Sequence, residues 1–370
     1  MDVQAAVAAA LRGRALLWST GTADAVLRPD GSLQLRPHAE APALRSPDGA
    51  WVFLPDADGA EGALVEPASG RRWPLPRLHL GARRALGFVG HALLCCESTL
   101  RIRTYPLHAP DAAPRCSPAY TPCADGEHVD FWRGSLKLVA LIDAQEAVVT
   151  LQLPSLRSES RAHWGADLRV RRLHSEGEAA WLVLEDAAGL SEVWSLGADG
   201  ARRLVGGLPL AVEAVHAVAA GALWLSGRRP DRLQVCDARA LPTDLLRLEL
   251  PSGRLDFVSE SLPRQPGARL VDVRHAGGYF ALLYREAAEL LLFVLDPEGR
   301  CLRSHRRAQP DVPDMVLSPE GTVALMLDPP PRYGGPSLEL LPVAGDAVHL
   351  ALAEAGCELR FADELPPRRG

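Results

Sequence analysis

Apolar residues in this chain fall in short runs, and the runs recur. A glycine followed by a strand-like apolar segment starts at Gly13 (Leu16, Leu17, Trp18), Gly49 (Trp51, Val52, Phe53), Gly90 (Leu93, Leu94, Cys95) and Gly134 (Leu136, Leu138, Val139). The same pattern starts at Gly177 (Trp181, Leu182, Val183), Gly221 (Leu223, Trp224, Leu225), Gly278 (Phe280, Leu282, Leu283) and Gly321 (Val323, Leu325, Met326). Each run either alternates or is continuously apolar, as half-buried and fully buried β-strands do. Successive starts lie about 36 to 57 residues apart, mostly near 43.

A second signal keeps step with the first. Tight turns at Pro29-Asp30-Gly31, Ala68-Ser69-Gly70, Ala198-Asp199-Gly200, Pro251-Ser252-Gly253, Pro297-Glu298-Gly299 and Ala344-Gly345-Asp346 separate later strands of six units, and His108-Ala109-Pro110 and Pro154-Ser155-Leu156 stand in the same place without the glycine in two others. Another short apolar strand precedes many of the glycines, as at Ala85 to Val89, Leu168 to Leu173, Val212 to Val218 and Leu270 to Val273. Each unit therefore reads as four antiparallel strands, too small to bury both faces alone. The pattern predicts an all-β fold: a single β-propeller domain over residues 1–370 with four-stranded blades, eight favoured and seven the runner-up. Val3 to Leu11 reads either as an inner strand or, from its alanines, as a short helix within 2–11. In the helical case Glu358 to Phe361 closes the ring from the other terminus. The long step from Gly221 to Gly278 implies an insertion over 228–243.

Ser46-Pro47-Asp48-Gly49 and Ser318-Pro319-Glu320-Gly321, each leading into an apolar strand, resemble the inner hairpin of WD-like and TolB-type propeller repeats. A resemblance in architecture alone extends to the propeller components of bacterial ternary systems that contain a MoxR-type AAA+ ATPase and a von Willebrand A protein. It implies those two proteins as partners.

Composition adds little to the fold and narrows the function. Apolar residues make up 47% and charged residues 23%, enough for a sizeable core. The 31 prolines and 32 glycines are scattered, which favours many short strands. A net charge of -6 favours neither nucleic acid nor an anionic membrane as partner, and no apolar run is long enough to span a bilayer. Lys137 is the only lysine, and the abundance of Arg, Ala, Pro and Gly reads as a GC-rich bacterial genome. Seven cysteines without a Cys-x-x-Cys spacing, behind an N-terminus that makes a poor secretory signal, predict thiols in a reducing cytoplasm.

The chemistry-bearing motifs are missing. With one lysine there is no Walker A loop, kinase signature or Schiff-base candidate. The serines near a Gly-x-Ser pattern, Ser191 and Ser337, lack the second glycine of a nucleophile elbow. The eleven histidines form no His-Glu-x-x-His. Three of them, His174, His216 and His275, sit near the ends of inner strands and form a candidate polar face. Their plainer reading is as independent polar residues at hairpin ends. Asp56, Asp58 and Glu61 suggest a minimal calcium loop or a simple hairpin turn. Trp18, Trp51, Trp181 and Trp224 read as core, and the pairs Arg71-Arg72, Arg202-Arg203 and Arg306-Arg307 as charged outer-strand positions that discourage edge pairing.

No catalytic, cofactor-binding or metal-binding residue is assigned. By elimination the chain reads as a cytoplasmic, non-catalytic protein-binding or scaffolding propeller. The alternative is a lactonase- or lyase-like propeller enzyme with a metal site at the central channel. The segment 328–336, with three prolines before Arg332 and Tyr333, is longer than a hairpin requires, and these two residues are candidate partner contacts.

Overall fold

The computed structural model describes residues 2–20, 23–37, 44–46, 48–55, 62–75, 85–89, 91–96, 101–118, 129–131, 138–143, 147–152, 155–164, 167–176, 179–197, 200–208, 210–228, 244–250, 252–264, 268–287, 289–308, 312–328 and 335–362. Arg332 and Tyr333, the acidic loop 56–61 and all of the predicted insertion except Arg228 lie outside these residues.

Along the chain, α1 (Val3–Leu11) leads into β1 (Ala15–Ser19), β2 (Ala23–Leu27) and β3 (Leu33–Pro37). Next come β4 to β7 (Leu44–Arg45, Val52–Pro55, Gly62–Glu66, Arg71–Leu75) and β8 to β11 (Ala85–Val89, Ala92–Cys96, Ile102–Pro106, Arg115–Cys116). They are followed by β12 to β15 (Val129–Phe131, Leu138–Asp143, Ala147–Gln152, Arg157–His163) and β16 to β19 (Arg169–Glu176, Ala179–Glu185, Ser191–Gly197, Gly200–Leu208). Strands β20 to β23 are Ala211–Ala219, Ala222–Arg228, Asp244–Glu249 and Leu255–Phe257; β24 to β27 are Arg269–Ala276, Tyr279–Glu286, Glu289–Leu295 and Cys301–Ala308. The last are β28 to β31 (Asp314–Leu317, Thr322–Leu327, Ser337–Pro342, Val348–Ala351) and β32 (Cys357–Ala362).

Among the described residues the strands pair into eight four-stranded sheets. Seven are consecutive runs in the order just given, and the eighth has the order β3-β2-β1-β32. Strand β32 runs antiparallel to β1, with Ala15 opposite Ala362 and Leu16 opposite Phe361. The N-terminal stretch that could have filled this place is instead helical: Asp2 caps α1 by accepting from the Gln4 N–H at 3.1 Å. The architecture is all-β, of the propeller type with four-stranded blades.

The chain divides into two compact units, Met1–Ala39 with Glu213–Gly370, and Glu40–Val212. In the first unit the middle strands are buried on both faces, which is why β26, β29 and β30 are almost continuously apolar. The outer strand β27 (CLRSHRRA) alternates exposed with half-covered and carries the charge. Trp224, Phe280, Tyr284 and Phe293 fill the space between the β20–β23 and β24–β27 sheets. Leu283, Leu292, Met315 and Leu325 do the same for the next pair. Helix α1 buries Val7, Ala10 and Leu11 against the sheet of β28–β31, where the Thr322 hydroxyl donates to the Ala10 carbonyl at 2.7 Å. In the second unit, Phe53, Leu64, Leu93 and Tyr105 join the β4–β7 and β8–β11 sheets, while Trp164, Leu182 and Leu184 cluster against β16–β18.

The two Ser-x-x-Gly hairpins form as their sequences demand. Gly49 donates to the Ser46 carbonyl and Gly321 to the Ser318 carbonyl, at 2.9 and 3.0 Å. The Ser46 hydroxyl accepts from the Trp51 N–H, and Ser318 plays the same part for Thr322. Between β24 and β25 the turn is Gly277-Gly278, both at positive φ (57° and 89°), which suits a two-residue hairpin matched to strand twist.

Candidate functional site

The first unit carries a cleft of about 360 Å³ whose walls are three first strands, β24, β28 and β32, lying side by side. The cleft is lined by Arg14, Arg274, Arg360 and His275, over an apolar floor that includes Leu317 and Phe361. Each side chain is placed by strand register. Arg274 faces Ala281 and His275 faces Phe280 across the β24–β25 pair, while Arg360 faces Leu17 across β32–β1. Arg14 stands in the short link between α1 and β1.

Two of the three guanidinium groups lean on carboxylates. Arg14 Nε donates to Glu320 Oε2 at 2.6 Å, a bond that raises the arginine further above its ordinary value and lowers the Glu320 carboxyl. Arg274 Nε donates to Asp272 Oδ2 at 3.0 Å. Arg360 is exposed and takes part in no ion pair among the described residues. His275 is held flat by stacking on Phe280, with ring centroids 4.5 Å apart, and Phe280 in turn stacks on Trp224 at 3.9 Å. Packing thus fixes the plane of the ring.

The three candidate histidines have different immediate surroundings. His174 belongs to the second unit, opposite Trp181, with ring centroids 6.1 Å apart. His216 lies on β20, its Nε2 2.8 Å from Ser226 Oγ, and does not line the cleft. Only His275 joins the site. Among the described residues no group of three or more His, Cys, Asp or Glu lies close enough to hold a metal ion. Trp18, Trp181 and Trp224 are buried, as expected of core residues, whereas Trp51 is half-exposed. Of the outer-strand arginines, Arg203 pairs with Glu192, Arg306 with Glu286 and Glu289, and Arg307 with Glu339.

Arg14, Arg274 and Arg360 carried no motif in the sequence. Their signal is positional: Arg274 and Arg360 lie near the ends of β24 and β32, Arg14 just before β1, and Arg274 immediately precedes the candidate His275.

Fold and cleft define the class: an all-β protein of the propeller type with an arginine-rich cleft on its first strands. No protein-family model matches the chain, and no curated protein matches it. Solved structures are similar. Dihydro-heme d1 dehydrogenase NirN, in complex with DHE, has a TM-score of 0.50 at 11% identity, covering 81% of this chain and 66% of that one. This chain therefore spans just under two thirds of that protein. BamB from Moraxella catarrhalis has a TM-score of 0.49 at 8% identity, covering 84% and 92%. Kluyveromyces lactis Hsv2 has 0.42 at 14%, covering 71% and 76%. These neighbours are β-propellers, and at such identities the likeness concerns the fold alone.

Proposed function

We propose that the protein is a non-catalytic binding and scaffolding module that holds a carboxylate-bearing segment of a protein partner in the Arg14, Arg274 and Arg360 cleft. The observation that carries this reading is the convergence of three guanidinium groups on one half-apolar concavity, with Arg360 lacking an internal counter-charge among the described residues. Guanidinium presents a planar fork that matches a carboxylate in two hydrogen bonds, and arginine beside apolar surface is a frequent interface anchor. Phe361 and Leu317 supply that surface. The reading takes the sheets as blades of a WD-like, TolB-type repeat, eight in number, with seven as the alternative count. It places the protein in a bacterial, cytoplasmic system, with an AAA+ ATPase and a von Willebrand A protein as partners and with Arg332 and Tyr333 as a further contact.

Titration calorimetry with a synthetic glutamate-rich peptide tests it. Saturable binding that weakens with added salt and falls about tenfold in Arg360→Glu is expected, because the exposed charge complements the ligand. Equal affinity in the variant and the original protein would overturn the reading, as would no binding at all.

A further inference from the structure

The second unit has a cleft of a different chemistry, about 480 Å³ in volume, at one end of the β4–β7 and β8–β11 sheets. Trp51 precedes β5, Glu66 and Arg71 flank the β6–β7 turn, His91 lies in the β8–β9 turn, and residues 107–111 follow β10. In antiparallel sheets the turns after first and third strands share an end, so these four segments meet there. The Leu107 N–H donates to the His91 carbonyl at 2.9 Å and ties two of them together.

The floor is aromatic. Trp51 and Trp73 have ring centroids 5.3 Å apart and planes inclined by 49°. Both are half-exposed, in contrast to Trp224, which is 0% exposed. The rings touch one another, so no ligand group inserts between them. They instead offer two adjoining faces in a shallow V, continued by Leu107 and Pro110. Around this trough stand hydrogen-bond donors, Arg71, His91 and His108, and two carboxylates, Glu66 and Asp111.

We infer that this cleft binds a proline-rich protein segment in the polyproline II conformation that carries a basic residue beside its prolines. A polyproline II helix presents a ridge of pyrrolidine rings that lies against tilted aromatic faces, and it loses little entropy on binding because it is already extended. Its prolines have carbonyl acceptors and no N–H donors. A rim furnished with a guanidinium and two imidazoles answers that imbalance. The neighbouring basic side chain answers Glu66 and Asp111 by charge complementarity.

The test uses the whole chain and a hexaproline peptide ending in arginine, followed by tryptophan fluorescence and calorimetry. The expected result is saturable binding with a change in tryptophan emission. Affinity should fall about tenfold in Trp73→Ala, whose folding is checked by thermal melting, and about threefold in the exposed-loop variant Asp111→Asn. Asp111→Asn keeps the experiment decisive if the tryptophan variant fails to fold. Absence of binding, equal binding by a peptide with alanines in place of the prolines, or tighter binding by a trimethyl-lysine peptide without prolines would each overturn the inference.

Discussion

The sheets β24–β27 and β4–β7 follow one plan and differ in how completely they cover their aromatic residues. Strands in the first have 7 or 8 residues, whereas those in the second have 2, 4, 5 and 5. Long strands let Phe280, Tyr284 and Phe293 reach full burial against Trp224. Burial pushes the Tyr284 phenol far above its ordinary value. In the short-stranded sheet Trp51 and Trp73 pack against the edge of the Phe53, Leu64 and Leu93 core and stay only partly buried. Aromatic residues thus serve as core along the long strands, while in the short-stranded sheet Phe53 is core and the two tryptophans stay only partly covered.

The largest effect that could break this comparison is where the β20–β23 sheet packs on β24–β27. Trp224→Ala should cost about 3–5 kcal/mol in denaturant unfolding, the range for a large aromatic removed from a close-packed interior. A loss under about 1 kcal/mol would show that the β20–β23 and β24–β27 sheets do not pack as described. Next comes Gly277→Ala. The residue sits at φ 57°, and an added Cβ would meet the Pro319 carbonyl oxygen at 2.1 Å, so two walls of the cationic cleft would be forced apart. A cost of about 2–3 kcal/mol is expected, read as a fall in melting temperature together with weakened binding of the glutamate-rich peptide.

A smaller effect concerns Glu339 on β30, which lies 3.1 Å from Arg307 and 3.5 Å from His305 on β27. Burial opposes its charge, but the His305 contact and the attraction of Arg307 outweigh burial and leave the carboxyl below the ordinary glutamate range. The folded value lies below the unfolded one, so this stabilisation is present above the ordinary range and is lost as the pH falls through the folded value. Glu339→Gln should therefore cost about 1–2 kcal/mol at neutral pH, with the gap to the original protein closing below about pH 4. A gap that widens on acidification would contradict the arrangement. The smallest stability effect is expected for Trp51→Ala, about 1 kcal/mol, because its side chain is only partly buried. A cost as large as that of Trp224→Ala would erase the contrast between the two sheets.

Much of this fold was legible because its signals are local. A glycine, a turn residue and an apolar run within a few positions specify a hairpin, and the run after Gly321 becomes the buried β29 as its sequence implies. Trp224 could be read as core for the same reason. The return of 358–361 to the first sheet was legible, but the cationic cleft was not, since it depends on the side-by-side placing of β24, β28 and β32. His275 was visible in the sequence, but its arginine neighbours at 14 and 360 come from opposite ends. The exposure of Trp51 was equally hidden: its run resembles that of Trp224, and the difference lies in how much strand its neighbours contribute.

The claim that this protein is a binding module for an acidic segment is tested most directly by hydrogen exchange with and without saturating glutamate-rich peptide. Protection is predicted in the segments 272–276, 314–319 and 357–362, and should disappear in Arg360→Glu. Protection confined to other segments, or unchanged exchange at a peptide concentration that saturates calorimetric binding, would contradict it.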